Sequence, residues 1–173
     1  MRDFPYKKVL ITGCPGSGKS TFARKLRDAA GLPLYYLDML FHRPDRSTAT
    51  REEFDEALKN VLSEDEWIID GNYLRTLPVR LKACEAVFYF DISPELCIQG
   101  AASRIGTVRE DMPWVEQSFD PEFRQYILDF QKDQRPVISE LFAAFCTEDP
   151  KSPKLITFTS RSQADDYIDS LEG

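Results

Sequence analysis

Gly13-Cys14-Pro15-Gly16-Ser17-Gly18-Lys19-Ser20-Thr21 is the stretch of this 173-residue chain whose residue types and spacing most directly imply chemistry. Two glycines five positions apart, then lysine and serine, satisfy every defined position of the Walker A pattern, G-x-x-x-x-G-K-[ST]. Glycines let the backbone fold tightly so that successive N–H groups point inward, and a helix starting at Lys19 adds its partial positive charge beneath bound phosphates. Gly13, Pro15, Gly16, Ser17, Gly18, Lys19, Ser20 and Thr21 are therefore the expected cradle for ATP or a close relative. Within it, Lys19 is expected to reach the β- and γ-phosphates and Ser20 to be a ligand of Mg²⁺. The competing reading, a glycine-rich turn that merely joins a strand to a helix, is opposed by motif and context together.

Other charged residues fall where they can assist. Asp70 closes the apolar run Trp67-Ile68-Ile69, and a carboxylate at the end of a strand beside the Walker strand can hold a water of the Mg²⁺ shell; its bland alternative is an Asp-Gly turn. Asp91 competes for that task but precedes Ser93-Pro94, which suits a strand-to-helix turn. Asp38 ends the second apolar run, at the edge where open α/β sheets bind ligands, and His42 and Arg43 follow in the same loop. Arg104 and Arg109 flank the start of a polar stretch, where guanidinium groups can close over phosphates and stabilise charge developing in transfer. Arg75 and Arg80 follow Asp70-Gly71-Asn72-Tyr73, and Arg80 is expected to face an acceptor or its phosphate. Asp38, His42 and Arg80 are thus the substrate-binding candidates. The chain has no Asn-Lys-x-Asp segment for guanine, and Asp70 and Asp91 are followed by Gly71 and Ile92 where a hydrolytic ATPase would carry glutamate. Without a residue placed to activate water, transfer to a bound acceptor is favoured over hydrolysis.

The elements that must position these residues are legible in the hydrophobic pattern. Short apolar runs alternate with helix-period segments, the signature of βαβ units and of a parallel sheet covered on both faces, so the class is α/β. Strands are expected at residues 8–12, 34–38, 66–70, 86–91 and 155–159. Helices are expected at 19–29, ended by Gly31 and Pro33, and at 51–62, with Phe54, Ala57, Leu58, Val61 and Leu62 on one face. A further helix covers Leu77, Val79 and Leu81, and Ser93-Pro94-Glu95 opens another that runs to about Ile105. Asp120-Pro121-Glu122 repeats that start before a helix that Pro136 must break or kink, and a last helix spans 162–171. Trp67, Phe88 and Phe90 read as core. Residues 106–119 are polar, carry Pro113 and Trp114, and show no clean period, which marks a lid on one domain spanning 1–173.

Composition narrows the partners. A hydrophobic content of 42% supports a real core, and four cysteines without a C-x-x-C pair, with one isolated histidine, indicate neither a disulfide framework nor a structural zinc. The formal charge of −7 opposes non-specific nucleic-acid binding, although an acidic protein can still carry a local basic cleft. Val9-Leu10-Ile11 is far too short for a signal-peptide core or a membrane span, so a cytoplasmic location without a membrane is expected. Oligomeric state is open.

Gly13-x-x-Gly16-Ser17-Gly18-Lys19-Ser20, Leu37-Asp38, Trp67-Ile68-Ile69-Asp70-Gly71-Asn72-Tyr73, Arg80-Leu81 and Arg109-x-Asp111-Met112 together resemble the adenylate-kinase-like subgroup of topology-modulation (FlaR-related) proteins, over nearly the whole chain. The resemblance implies a three-layer P-loop NTPase fold with a five-stranded parallel sheet in the order 2-3-1-4-5, a lid, and a kinase site using ATP and Mg²⁺. In resembling small-molecule kinases a carboxylate at the place of Asp38 contacts the acceptor hydroxyl, which gives Asp38 a catalytic share beside Lys19, Arg104 and Arg109. The same kinases meet adenine near Thr159-Ser160-Arg161-Ser162, which marks Arg161 for nucleotide binding. The chain departs from the subgroup before the lid, where Gln99-Gly100-Ala101-Ala102-Ser103 supplies no arginine. Residues 38–66 hold only one helix's worth of periodic sequence, so a nucleoside, sugar or other small hydroxyl compound is favoured over a mononucleotide as acceptor. The alternative is an ATP-binding regulator that affects DNA topology or contacts a protein without transfer; no run of lysines or arginines supplies the basic face it needs.

Overall fold

Five parallel strands carry the architecture: β1 (Lys8–Gly13), β2 (Leu34–Tyr36), β3 (Trp67–Asp70), β4 (Ala86–Phe90) and β5 (Lys154–Phe158), paired in the order β2-β3-β1-β4-β5. The computed structural model describes residues 4–173. Val9, Leu10, Ile11, Trp67, Ile68, Ile69, Ala86, Val87 and Phe88 are all fully buried, so the central strands read as unbroken apolar runs because helices cover both faces. The expected class and strand order are those observed.

The helices are α1 (Lys19–Ala30), α2 (Leu37–Phe41), α3 (Arg51–Leu62), α4 (Leu77–Ala83), α5 (Pro94–Ser103), α6 (Pro121–Asp133), α7 (Arg135–Phe145) and α8 (Arg161–Glu172), with a 3₁₀ turn, Leu74–Thr76, before α4. Alternation along β4 separates the layers. Phe88 and Phe90 pack against Phe22 of α1, with ring centroids 5.0 and 5.4 Å apart, whereas Tyr89 meets Phe142 of α7 at 5.2 Å. Side-chain caps start the helices where expected: Ser93 accepts from the Leu96 N–H and Asp120 from the Glu122 N–H. Pro136 occupies the second position of α7, and the break it enforces falls at Gln134.

Register brings the carboxyl ends of the strands to one edge. Ile11 pairs with Asp70, Tyr36 with Asp70, and Gly13 with Phe90. Two local expectations fail. The second strand stops at Tyr36, because β3 ends at Asp70 and offers no further partner; Leu37 then turns inward, fully buried, and starts the single turn of α2 that carries Asp38. Val79 is 49% exposed, since Leu77, Arg80 and Leu81 are the residues the short α4 turns inward. Among the described residues no helix is long and apolar enough to cross a membrane.

Candidate active site

Gly13 to Gly18 forms the tight loop between β1 and α1, closed by a hydrogen bond from the Ser17 N–H to the Cys14 carbonyl at 3.1 Å. Gly18 precedes α1 in the left-handed region, and no side chain caps the helix, which leaves its first-turn N–H groups for an anion. Gly16 is required by space as well as by its φ of 82°: a Cβ there would lie 2.0 Å from the Cys97 carbonyl oxygen of α5. Gly100 presses from the same helix, its own hypothetical Cβ 2.1 Å from the Gly16 carbonyl oxygen. From outside, the Arg161 guanidinium donates to the carbonyls of Ser17 (3.3 Å), Gly16 (2.8 Å) and Leu96 (2.9 Å). Arg161 thus clasps the loop to α5, a role the sequence reading, which assigned it to adenine, did not contain.

Ser20 and Asp70 meet as the Walker geometry requires. The Ser20 hydroxyl donates to Asp70 Oδ2 at 2.6 Å, while Asp70 Oδ1 is buried with no partner. Burial pushes the Asp70 carboxyl up to about 6, with Asp38 and Asp111 adding to the rise and Lys19 and Ser20 opposing it. A hydroxyl and a carboxylate with one free oxygen form a hard oxygen donor set, which fits a small divalent cation shared with phosphate oxygens. Ser17 Oγ and Arg104 Nε are also buried without partners. Three of the four such atoms among the described residues, Trp67 Nε1 being the other, therefore surround the phosphate loop. Native proteins rarely leave buried polar atoms unpaired, so this clustering points to an anion with its cation. Asp91 is engaged elsewhere, in an ion pair with Arg135 at 2.9 Å.

Arg80 does not face an acceptor. Its side chain is fully buried and turned back under the loop after β3, donating to the carbonyls of Gly71 (3.3 Å), Asn72 and Tyr73 (3.0 Å) and to Thr76 Oγ1 (3.3 Å). With no carboxylate partner, burial lowers its pKa to about 9. The physical reason is the loop itself, whose carbonyls converge because Tyr73 adopts a φ of 40° and leave a pocket that one planar five-donor group can fill. Two side chains of the stapled turn then act on the site. Asn72 Oδ1 accepts from Thr12 Oγ1 (2.8 Å) and from the Gly13 N–H (3.0 Å), which locks the start of the phosphate loop. Tyr73 donates its hydroxyl to Asp38 Oδ1 at 2.7 Å, which orients that carboxylate. Sequence reasoning singled out this Asp-Gly-Asn-Tyr block but not the tasks of Asn72 and Tyr73. Arg75 lies outside, paired with Asp55 at 2.6 Å.

Residues 104–119 are non-helical and fold over this edge, with the Gly106 N–H donating to the Glu116 carbonyl at 2.7 Å. Glu110 accepts from Arg27 (2.9 Å) and Tyr36 (3.2 Å), and the Trp114 ring stands edge-on to His42 at 5.1 Å. Arg109 donates to Asp111 and Glu116, each at 3.1 Å, whereas Arg104 keeps its Nε unpaired, and burial with the neighbouring Arg109 lowers its pKa from the ordinary value.

Two cavities open under this segment. One, of about 630 Å³, is lined by Gly16, Gly18, Thr21, Arg161 and, from the segment, Thr107 and Val108. The other, of about 490 Å³, is lined by Asp38, His42, Asp70, Tyr73, Trp114 and Tyr126. Lys19, Ser20, Arg104, Arg109 and Asp111 belong to both. The structure therefore brings together the expected loop, both metal candidates, both lid arginines, Asp38 and His42, and leaves out Arg80.

No protein-family model matches the chain, and no curated protein matches it by sequence. Solved structures do match in shape. Shikimate kinase from Acinetobacter baumannii, in complex with shikimate, superposes with a TM-score of 0.61 at 16% identity, over 97% of this chain and 92% of that one. Shikimate kinase from Bacteroides thetaiotaomicron gives 0.59 at 15% identity, covering 96% of each chain. A gluconokinase from Sinorhizobium meliloti gives 0.53 at 17% identity, covering 99% and 94%. The chain has the fold of these P-loop kinases; its similarity to the topology-modulation subgroup rests on the motifs alone.

Proposed function

We propose that the protein is an ATP- and Mg²⁺-dependent phosphotransferase that moves the γ-phosphoryl group of ATP to a hydroxyl of a small molecule. The observation that carries this reading is the meeting of the two cavities at Lys19, Ser20, Arg104, Arg109 and Asp111. A nucleotide seated on the phosphate loop presents its terminal phosphate at that junction, with the second cavity on its far side, which is the arrangement in-line transfer needs. Lys19 and the unpaired Arg104 stabilise charge on the transferred group, and Arg109 holds the lid ordered through Asp111 and Glu116. Ser20 and Asp70 would hold Mg²⁺, which supplies charge neutralisation between the phosphates when bound. Asp38, oriented by Tyr73 in the second cavity, accepts the proton of the attacking hydroxyl.

The neighbours support a small acceptor, since their names specify kinases of shikimate and gluconate. The subgroup resemblance specifies no acceptor. A regulator that only bound ATP would leave the cavity around Asp38 without a task. An enzyme drawing on free ATP and Mg²⁺ belongs in the cytoplasm.

The test is acceptor-dependent ADP release with Mg·ATP across nucleosides, nucleotides and sugars. Lys19→Ala is expected to abolish ATP binding, whereas Asp38→Asn is expected to retain it and lose acceptor phosphorylation. Equal loss of ATP affinity in both variants would refute this division of roles.

A further inference from the structure

Charge divides unevenly between the two cavities. The part of the acceptor cavity not shared with the donor cavity is lined by four carboxylates, Asp38, Asp70, Glu116 and Asp120, with His42 and with no lysine or arginine. Apart from Arg104 and Arg109 on the shared wall, no arginine of the surrounding segments lines the cavity, and most are engaged elsewhere. Arg80 is sealed under the Gly71–Tyr73 loop, Arg43 pairs with Glu53 at 2.5 Å and Arg75 with Asp55 at 2.6 Å, and Arg46 stacks over the outer Trp114 ring at 5.1 Å. Arg109, on the shared wall, is neutralised by Asp111 and Glu116. Only Lys19 and Arg104 remain to face an anion, and both stand at the junction, where the transferred phosphoryl group takes them. A second anionic group deeper in the cavity would find no counter-charge, and the carboxylates of Asp38 and Asp120 would repel it.

Six aromatic side chains stand among the rest of the wall. Tyr36, Tyr73, Trp114, Phe119, Phe123 and Tyr126 line the same cavity. Ring faces stack on flat unsaturated groups, attract cations through their quadrupoles and repel anions.

From these two features, and resting on the phosphotransferase reading, we infer that the acceptor is a ring-bearing alcohol with no phosphate or carboxylate, uncharged or cationic, of which a nucleoside is the type. The acceptor oxygen forms the new bond to the γ-phosphorus as the bond to the β,γ-bridging oxygen breaks. ADP leaves, and the hydroxyl proton passes to Asp38 and then to solvent.

Matched pairs test the inference on the full chain with Mg·ATP: nucleosides against their 5′-monophosphates, and an aromatic amino alcohol against the corresponding aromatic hydroxy acid, with shikimate and gluconate as further anionic probes. The neutral or cationic member of at least one pair is expected to exceed its anionic partner in kcat/KM by about 100-fold or more, a discrimination of the size that leaving a charged group unpaired produces. Trp114→Ala is expected to raise KM for that acceptor about 10-fold while ATP affinity by calorimetry is unchanged, the loss of one stacking wall. Comparable or better turnover of the anionic members would overturn the acceptor class and leave phosphotransfer standing. Intact ATP binding with no ADP release for any probe would overturn the phosphotransferase reading, and this inference with it.

Discussion

Replacing Asp70 with asparagine should stabilise the ligand-free protein as pH rises, even as it removes a group proposed for the metal. The Asp70 carboxyl is buried, has one unpaired oxygen, and is pushed up to about 6 from 3.8. Between those values the folded chain holds a proton that the unfolded chain has released, so stability falls as pH rises through the window and the full cost is present above it. A shift of about 2 units corresponds to about 3 kcal/mol for ionised Asp70 at neutral pH, at about 1.4 kcal/mol per unit. Between about pH 5 and about pH 8 roughly half of this should be visible, because the part of the window below pH 5, where the unfolded carboxyl releases its proton, has already been passed. Asparagine never ionises, so subtracting the two stability curves cancels the groups that do not interact with Asp70 and leaves this one together with its coupling to Asp38, Asp111 and Lys19. Denaturant unfolding of both proteins at several pH values supplies the curves, and the midpoint temperature of the variant should gain on the wild type by about 3–6 °C across the range. Added Mg²⁺ and ADP should reverse the order, since only the wild type would bind the cation tightly. Parallel pH–stability curves for the two proteins would refute the claim that Asp70 is held ionised at a cost in the empty site.

The remaining perturbations probe the scaffold around the loop. Arg80→Met strands the carbonyls of Gly71, Asn72 and Tyr73 and should cost about 3 kcal/mol, after partial relief from burying an unpaired cation. An unchanged melting temperature would return Arg80 to the acceptor surface. Gly100→Ala drives a Cβ toward the Gly16 carbonyl and should weaken ATP binding about 10-fold or more in a protein whose circular dichroism stays native; unaltered calorimetric affinity would show that α5 does not support the loop. Tyr73→Phe removes the 2.7 Å bond to Asp38 and should lower kcat about 10-fold, the worth of one hydrogen bond to a charged group, with KM for ATP unchanged. A loss confined to KM would mean that Tyr73 binds ligand and does not position Asp38.

The strands and the phosphate loop were legible because their signals are local: an apolar run buried on both faces needs no long-range information, and each Walker residue has a defined offset. The failures share a different character. Arg80 could not be placed from its position on a helix, because its direction is set by carbonyls brought together by the positive φ of Tyr73. Asp38 was assigned to a strand because Leu34 to Leu37 is apolar, yet strand length is decided by the partner, and β3 runs out at Asp70. Gly100 was noted only as a place without arginine, although its lack of a side chain is what admits the Gly16 carbonyl. Arg161 lines the donor cavity, as a nucleotide-binding residue should, but its hold on loop carbonyls more than a hundred residues away along the chain has no local signal. The second cavity emerged from tertiary packing alone, since Tyr73, Trp114 and Tyr126 come from three separate segments.

Transfer from γ-labelled ATP tests the central claim most directly. Incubated with Mg²⁺ and the acceptor panel, the wild-type protein should move label into an acid-stable organic phosphate ester, with little inorganic phosphate, and Lys19→Ala should move none. Label that appears only as inorganic phosphate, or transfer undiminished in Lys19→Ala, would contradict the account.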